Sequence, residues 1–331
     1  MLKKLNNLNI VSKTTIILAF VLSILLISLN IFSAAYTKNI ISDKVNTQLK
    51  ERLHQITETL LVYDDLLKDT ADSLYDAFDS QFTNIQIDPS QTVKVNGVDT
   101  PLITNNGITL NNNFEYVDYY TKLKGSTATV FAKMGNDFVR VTTSLKRPDG
   151  SRTLGTFLGE KSPAYDVIMS GKKYFGTAHL FGSDYMAVYN PIIKNGKVIG
   201  ILYVGYNYTK SLNDFTKRLK NTKIGENGYL YIVSTKKKTK GKFILHPTKE
   251  GKNILEDNSD DNIKNMFNHD EGIIEYDWTN PKTNEIQRKI IIFKDYKDRG
   301  WKVVIGTTKD DFLQESKEFT IILAILSILS I

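Results

Sequence analysis

Residues 128–145, ATVFAKMGNDFVRVTTSL, and residues 173–206, KYFGTAHLFGSDYMAVYNPIIKNGKVIGILYVGY, carry the reading of the fold. Both are rich in β-branched and aromatic residues, and turn signals at Gly135-Asn136, Gly182-Ser183 and Asn195-Gly196 cut them into short runs. Such spacing predicts strands at 128–134, 137–145, 173–181, 184–193 and 197–206, with neighbours joined as hairpins. Between the second and third strands, Ser162-Pro163 sets a capping serine before a proline, which predicts a helix starting there.

Working outward, residues 38–83 hold no Pro or Gly, and Ile41, Val45, Leu49, Leu53, Ile56, Leu60, Tyr63, Leu67, Ala71, Leu74 and Phe78 recur at three- and four-residue steps. That is one long amphipathic helix. Residues 84–127 are rich in Asn, Gly and Pro and read as an irregular, turn-rich cover. A linker helix over about 208–222 follows the last strand. The pattern then repeats, with strand-like runs at 228–235, 242–247, 272–279, 286–294 and 301–308 and a helix near 260–268. The expectation is an α+β chain of two tandem PAS-like modules, residues 84–207 and 223–318, behind a long N-terminal stalk helix.

Hydrophobic runs frame this polar middle. No residue from Thr14 to Thr37 is charged, enough to cross a hydrocarbon core of about 30 Å as a helix. Lys3, Lys4 and Lys13 precede it and place residues 1–13 in the cytoplasm. A cleaved signal peptide is the alternative, since Ser33-Ala34-Ala35 resembles a cleavage site, but the apolar run exceeds the roughly 7–15 residues of a signal peptide's apolar core. The run 319–331, FTIILAILSILSI, reads as the start of a second transmembrane helix. The expected topology is a two-span protein of the cell inner membrane with residues 38–318 extracytoplasmic, which is receptor topology. The stalk helix offers a surface for a homodimer, although its period lies nearer 3.6 than 3.5.

The rest of the composition narrows the class. Lys and Arg total 43 against 36 Asp and Glu, a net charge of +7. The lysines at 236–238, 240 and 242 have no interleaved aromatic residues, so they read as a solvated hairpin loop and not as a nucleic-acid surface. Cysteine is absent, and His54, His179, His246 and His269 lack metal-ligand spacing. Asp257-x-Ser259-x-Asp261 hints at a calcium loop, but Asn262 and Asn268 occupy its glycine and bidentate-acid positions. No nucleophile elbow, phosphate loop or dinucleotide fingerprint occurs. The reading carries no catalytic residue, metal or cofactor.

The stretches VNGVDTPLI, ATVFAKMGNDFVRVTTSLKRPDGSRTLGTFLGEKSPAY, YFGTAHLFGSDYMAVYNPI and GKVIGILYVGYN cover residues 93–208 almost continuously. They resemble the Cache sensor domains, specifically the type 3/type 2 fusion of bacterial methyl-accepting chemotaxis proteins. GENGYLYIV, HPTKEGKNI, YDW and GWKVVIGT resemble a type 2 Cache unit more loosely. The resemblance implies a chemoreceptor sensing a small molecule and signalling to a cytoplasmic kinase or adaptor. A histidine kinase or diguanylate cyclase would share such an outer portion, and an anchored binding or adhesion module is a separate class. Two positions depart from the family's usual pattern: Ser162 where a histidine is common, and Asn190 where an aspartate is common. Ligand specificity is therefore not carried over.

Sensor chemistry is binding, so the candidates are polar groups on a buried strand face. Strict alternation in 137–145 puts Arg140, Thr142 and Ser144 together, opposite Val139, Val141 and Thr143. A guanidinium fork suits a carboxylate, hence an organic anion as ligand. An internal ion pair from Arg140 to Glu160 or Asp166 is the competing reading. Tyr185 and Tyr189 share a face of the fourth strand, and Tyr174, Lys161 and Tyr165 could reach the same place. In the second module Tyr229, Tyr231, His246, Tyr276 and Trp278 are further candidates.

Overall fold

The computed structural model describes residues 10–225, 227–257, 260–279 and 284–308, together with Asp311 and Ile321. Residues 1–9 and, apart from Ile321, the expected second span lie outside the described residues. Helix α1 runs unbroken over Ile10–Asp79, so the predicted first span and stalk form a single element. Its stretch Ile10–Leu29 is long and apolar enough to cross a membrane, and its large side chains, Phe20 and Leu25 among them, are exposed. The chain divides into two compact units, Leu60–Phe215, and Thr216–Ile331 with Met1–Thr59.

In the first unit the segment 84–127 is more ordered than its composition suggests. Strands β1 (Ile85–Val95), β2 (Val98–Asn105) and β3 (Ile108–Thr109) form an antiparallel sheet, and α2 covers Glu115–Lys124. Its Asn-Gly pairs mark hairpin turns: Asn96-Gly97 has φ of 48° and 87°, and Asn106-Gly107 has 52° and 78°. Two successive left-handed residues make the tight turn that matches strand twist. The buried amide of Asn111 locks this sheet. Its Oδ1 accepts from Ile103 N at 3.0 Å, while its Nδ2 donates to Thr100 Oγ1 at 2.9 Å and Pro101 O at 3.0 Å. Asn111→Leu orphans these groups and should cost about 1–3 kcal/mol, read as a lower urea midpoint at unchanged m-value.

The main sheet comprises β4 (Thr127–Met134), β5 (Asp137–Thr143), β6 (Tyr174–Leu180), β7 (Ser183–Lys194) and β8 (Lys197–Asn207), in the antiparallel order β5-β4-β8-β7-β6. The β6–β7 turn falls on Phe181-Gly182, one residue earlier than predicted, with φ of 52° and 78°. One face packs on α1 and α2 through Leu67, Ala71, Tyr75, Phe78, Tyr120, Val130, Val139 and Val188. The other gathers Phe131, Phe138, Ala164, Ile168, Ala187, Ile201 and Tyr203 under the 146–172 crossover. The crossover helix α3 is only Tyr165–Met169. Successive turns, Ser162 N to Gly159 O and Tyr165 N to Ser162 O, use the predicted start, so the helix begins later.

Helix α4 (Thr209–Lys220) spans the boundary between the units. In the second unit, β9 (Lys223–Ile224) leads into β10 (Gly228–Ser234), β11 (Phe243–Leu245), β12 (Glu271–Thr279), β13 (Ile286–Tyr296) and β14 (Trp301–Thr308). The order β11-β10-β14-β13-β12 reproduces that of the first main sheet, strand for strand, with β9 added beside β10. Short helices α5 (Ile254–Asp257) and α6 (Asp261–Asn265) stand in the crossover. Asp260 caps α6 by accepting from Asn262 N at 2.8 Å, while residues 258–259 of the calcium-like motif lie outside the described residues. Lysines 236–238 and 240 are exposed.

Candidate functional site

The face of the first main sheet under the crossover presents a half-buried cation. Arg140 sits on β5 opposite Phe131 of β4, with its guanidinium carbon 4.8 Å from the Phe131 ring centre. Nη1 donates to Thr156 Oγ1 at 2.5 Å, and Nε is buried without a hydrogen-bond partner among the described residues. The competing ion pair to Glu160 or Asp166 does not form: no carboxylate stands among the groups acting on Arg140. Burial pulls its pKa down, while the nearby Tyr189 and Tyr203 hydroxyls oppose this shift. A guanidinium does not give up its proton in proteins, so the site holds a partly desolvated charge with no anion beside it among the described residues.

An aromatic wall surrounds it. Ring centres of Tyr189 and Tyr203 are 4.7 Å apart, and those of Tyr174 and Tyr189 are 6.2 Å apart. Tyr185 is buried and acts electrostatically on Tyr203. Desolvation raises the Tyr189 and Tyr203 pKa values, so both present neutral hydroxyls at neutral pH. The ring of Tyr165 meets Phe138 edge-on, with its hydroxyl donating to Asn136 O. Lys161 lies in the crossover, two residues before Pro163, and is exposed.

The strict alternation expected for 137–145 fails at a β-bulge. Phe131 pairs with Arg140, but the preceding residue, Val130, pairs with Thr142, so Val141 is the extra residue. Beyond it every side chain changes face. Thr143 joins the Arg140 side and bonds Thr129 Oγ1 at 2.6 Å. Thr142 turns to Asn113 O at 2.6 Å and Ser144 to Thr121 Oγ1 at 2.7 Å, both towards α2. Sequence reasoning missed Phe131, Thr156 and Tyr203. Tyr203 was within reach, because it alternates with Ile201 on a strand already identified.

Asn190, one of the two departures, points to the opposite face. Its Nδ2 donates to Tyr75 Oη at 2.7 Å, and Tyr75 donates to Asp79 Oδ1 at 2.9 Å. These residues line a solvent-open cleft of about 380 Å³ with Asn84, Pro191 and Lys194. Arg152, by contrast, is consumed structurally: it makes a two-pronged pair with Asp118, both contacts 2.7 Å, over the Phe114 ring.

In the second unit the sequence candidates converge. Tyr229, Tyr231, His246 and Phe243 form a ring cluster with centres 4.6–6.0 Å apart. Tyr276 and Trp278 complete the same core face. At its edge lies Lys289, which no sequence signal singled out: it is 2% exposed, and Nζ donates to Tyr229 Oη at 2.7 Å.

Two antiparallel sheets that share one order of five strands, each with a helical connection between its second and third strands, define a tandem sensor of the PAS-like type. The chain belongs to the Cache 3/Cache 2 fusion domain family, whose model matches residues 35–321. Members are sensory, ligand-binding modules, and this portion of the chain is such a module, not a catalytic domain. Among solved structures, the sensory domain of the Campylobacter jejuni chemoreceptor Tlp3 shares 14% identity at a TM-score of 0.47, covering 84% of this chain and 99% of that one. The ligand-binding domain of Mlp24 with asparagine shares 14% identity at 0.44, covering 85% and 98%. The extracellular domain of the candidate histidine kinase mmHK1S-Z2 shares 15% identity at 0.44, covering 83% and 99%. No curated protein matches the chain in sequence.

Proposed function

We propose that this chain is the extracytoplasmic sensing portion of a transmembrane chemoreceptor of the methyl-accepting type, anchored in the cell membrane and acting as a homodimer. A small organic anion binds the first module under its crossover. Arg140 holds the ligand carboxylate, Tyr174, Tyr185, Tyr189 and Tyr203 form the wall, and Thr156 orients the guanidinium. One observation carries the assignment: Arg140 has a buried, unbonded Nε and no acidic partner among the described residues. A desolvated cation without a counter-ion costs several kcal/mol, and an incoming carboxylate offsets that cost. Binding then shifts a two-state equilibrium only by its differential affinity for the two states. The sequence resemblance to chemotaxis receptors supports a cytoplasmic kinase or adaptor as the output.

A thermal-shift screen of mono- and dicarboxylates, amino acids included, against the full chain in detergent micelles tests this reading. Arg140→Ala should weaken the best acid by about 2–5 kcal/mol while leaving the fold intact. Unchanged affinity in that variant would remove Arg140 from the site.

A further inference from the structure

We propose that the second module carries its own site for a small monocarboxylate with a short apolar tail, in which Lys289 is the counter-ion. The inference is independent of the Arg140 reading. Lys289 lies on β13 with its ammonium 4.1 Å from the Tyr229 ring centre and 4.8 Å from that of Trp278. Among the described residues its hydrogen bond goes to Tyr229 Oη, and no carboxylate pairs with it. Lys289 is the buried cation of this ring cluster, and a single buried charge suits a ligand with one negative charge.

Two further donors face the same place. His246 Nδ1 accepts from Thr248 N and Lys249 N, both at 3.0 Å, which fixes the ring proton on Nε2 and leaves that N–H unbonded among the described residues. The Tyr231 hydroxyl is buried with no partner among them. Lys289 and His246 stand close enough to act on each other electrostatically. Three donors and aromatic walls suit a carboxylate head with an apolar tail. Gly306 lets β13 pack closely here, since a Cβ there would lie 2.6 Å from Ile291 Cγ2 and 3.4 Å from Lys289 Cε.

The titratable groups around the ammonium are Tyr229 and Tyr231 on β10, Tyr276 on β12, and His246 and Lys249 after β11, with Glu250 and Lys220 acting in turn on His246. Burial, helped by the charge of Lys249, holds the Lys289 pKa down at about 7. A bound carboxylate raises it again, so at pH 8 binding takes up a proton.

The test is calorimetric titration of the full chain in detergent micelles with sodium butyrate at pH 8, in buffers of different ionisation enthalpy. Binding with proton uptake is expected, retained in Arg140→Ala and weakened at least about thirtyfold, with the uptake lost, in Lys289→Met. Nitrogen NMR of the wild-type lysines gives a second readout that needs no variant: butyrate should raise the Lys289 pKa by about one unit or more. Absence of butyrate binding, unchanged binding in Lys289→Met, or a Lys289 resonance indifferent to butyrate would each overturn the proposal. Loss of binding in Arg140→Ala alone would also overturn it, assigning the acid to the first module.

Discussion

Raising the pH from 7 to 9.5 should stabilise the second unit by on the order of 3 kcal/mol, and the Lys289→Met variant should lack this gain. The cause is the buried ammonium. Its folded pKa is about 7 against an ordinary 10.5, so between these values the unfolded chain binds more protons than the folded one. Stability therefore rises with pH across that window: the penalty is complete below pH 7 and gone above 10.5. The rise is best read below about pH 10, because burial lifts the Tyr229 pKa to about 12 and those of Tyr231 and Tyr276 higher. A tyrosine of raised pKa contributes stability that is lost as the pH climbs past about 10. Urea melts of the full chain at pH 7 and 9.5, followed by Trp278 and Trp301 fluorescence, report on this unit alone because both tryptophans lie in it. A wild-type chain with no pH dependence would mean that Lys289 keeps an ordinary pKa.

Phe78→Ala should cost the first unit about 3–5 kcal/mol. Phe78 is fully buried near the end of α1, with Phe82 edge-on at 4.9 Å and Tyr120 at 5.0 Å. Truncation removes the ring's transfer free energy and leaves a cavity lined by residues that cannot all collapse. The melting transition of this unit should fall by ~10 °C, while Leu66→Ala, at an exposed position on the same helix, should move it little. An equal effect at both positions would contradict the packing of α1 on this sheet.

Much of the architecture was legible locally. The three- and four-residue steps that define α1 include most of the positions that become buried from Val45 to Phe78, because helical periodicity follows from backbone geometry alone. Strand runs between Asn-Gly and other Gly-containing turns were legible for the same reason. The segment 84–127 was not, since its Asn and Gly residues mark turns within a sheet as readily as loops. The candidate face was legible in part: Arg140, Tyr185 and Tyr189 do stand on one face, as alternation requires.

Two matters were decided only by tertiary structure. The bulge at Val141 arises in the pairing of β5 with β4, and no property of β5 alone announces it, yet it sends Thr142 and Ser144 away from Arg140. Lys289 shares its strand face with Ile291 and Phe293, but only the folded sheet shows that the Tyr229 and Trp278 rings close over it from β10 and β12. By itself the sequence determined the long helix and the strands of the two main sheets, with their order and duplication, because these follow from local periodicity and turn chemistry. Which polar groups end up buried without a partner depends on strands distant in the chain, and that only the folded sheets decide.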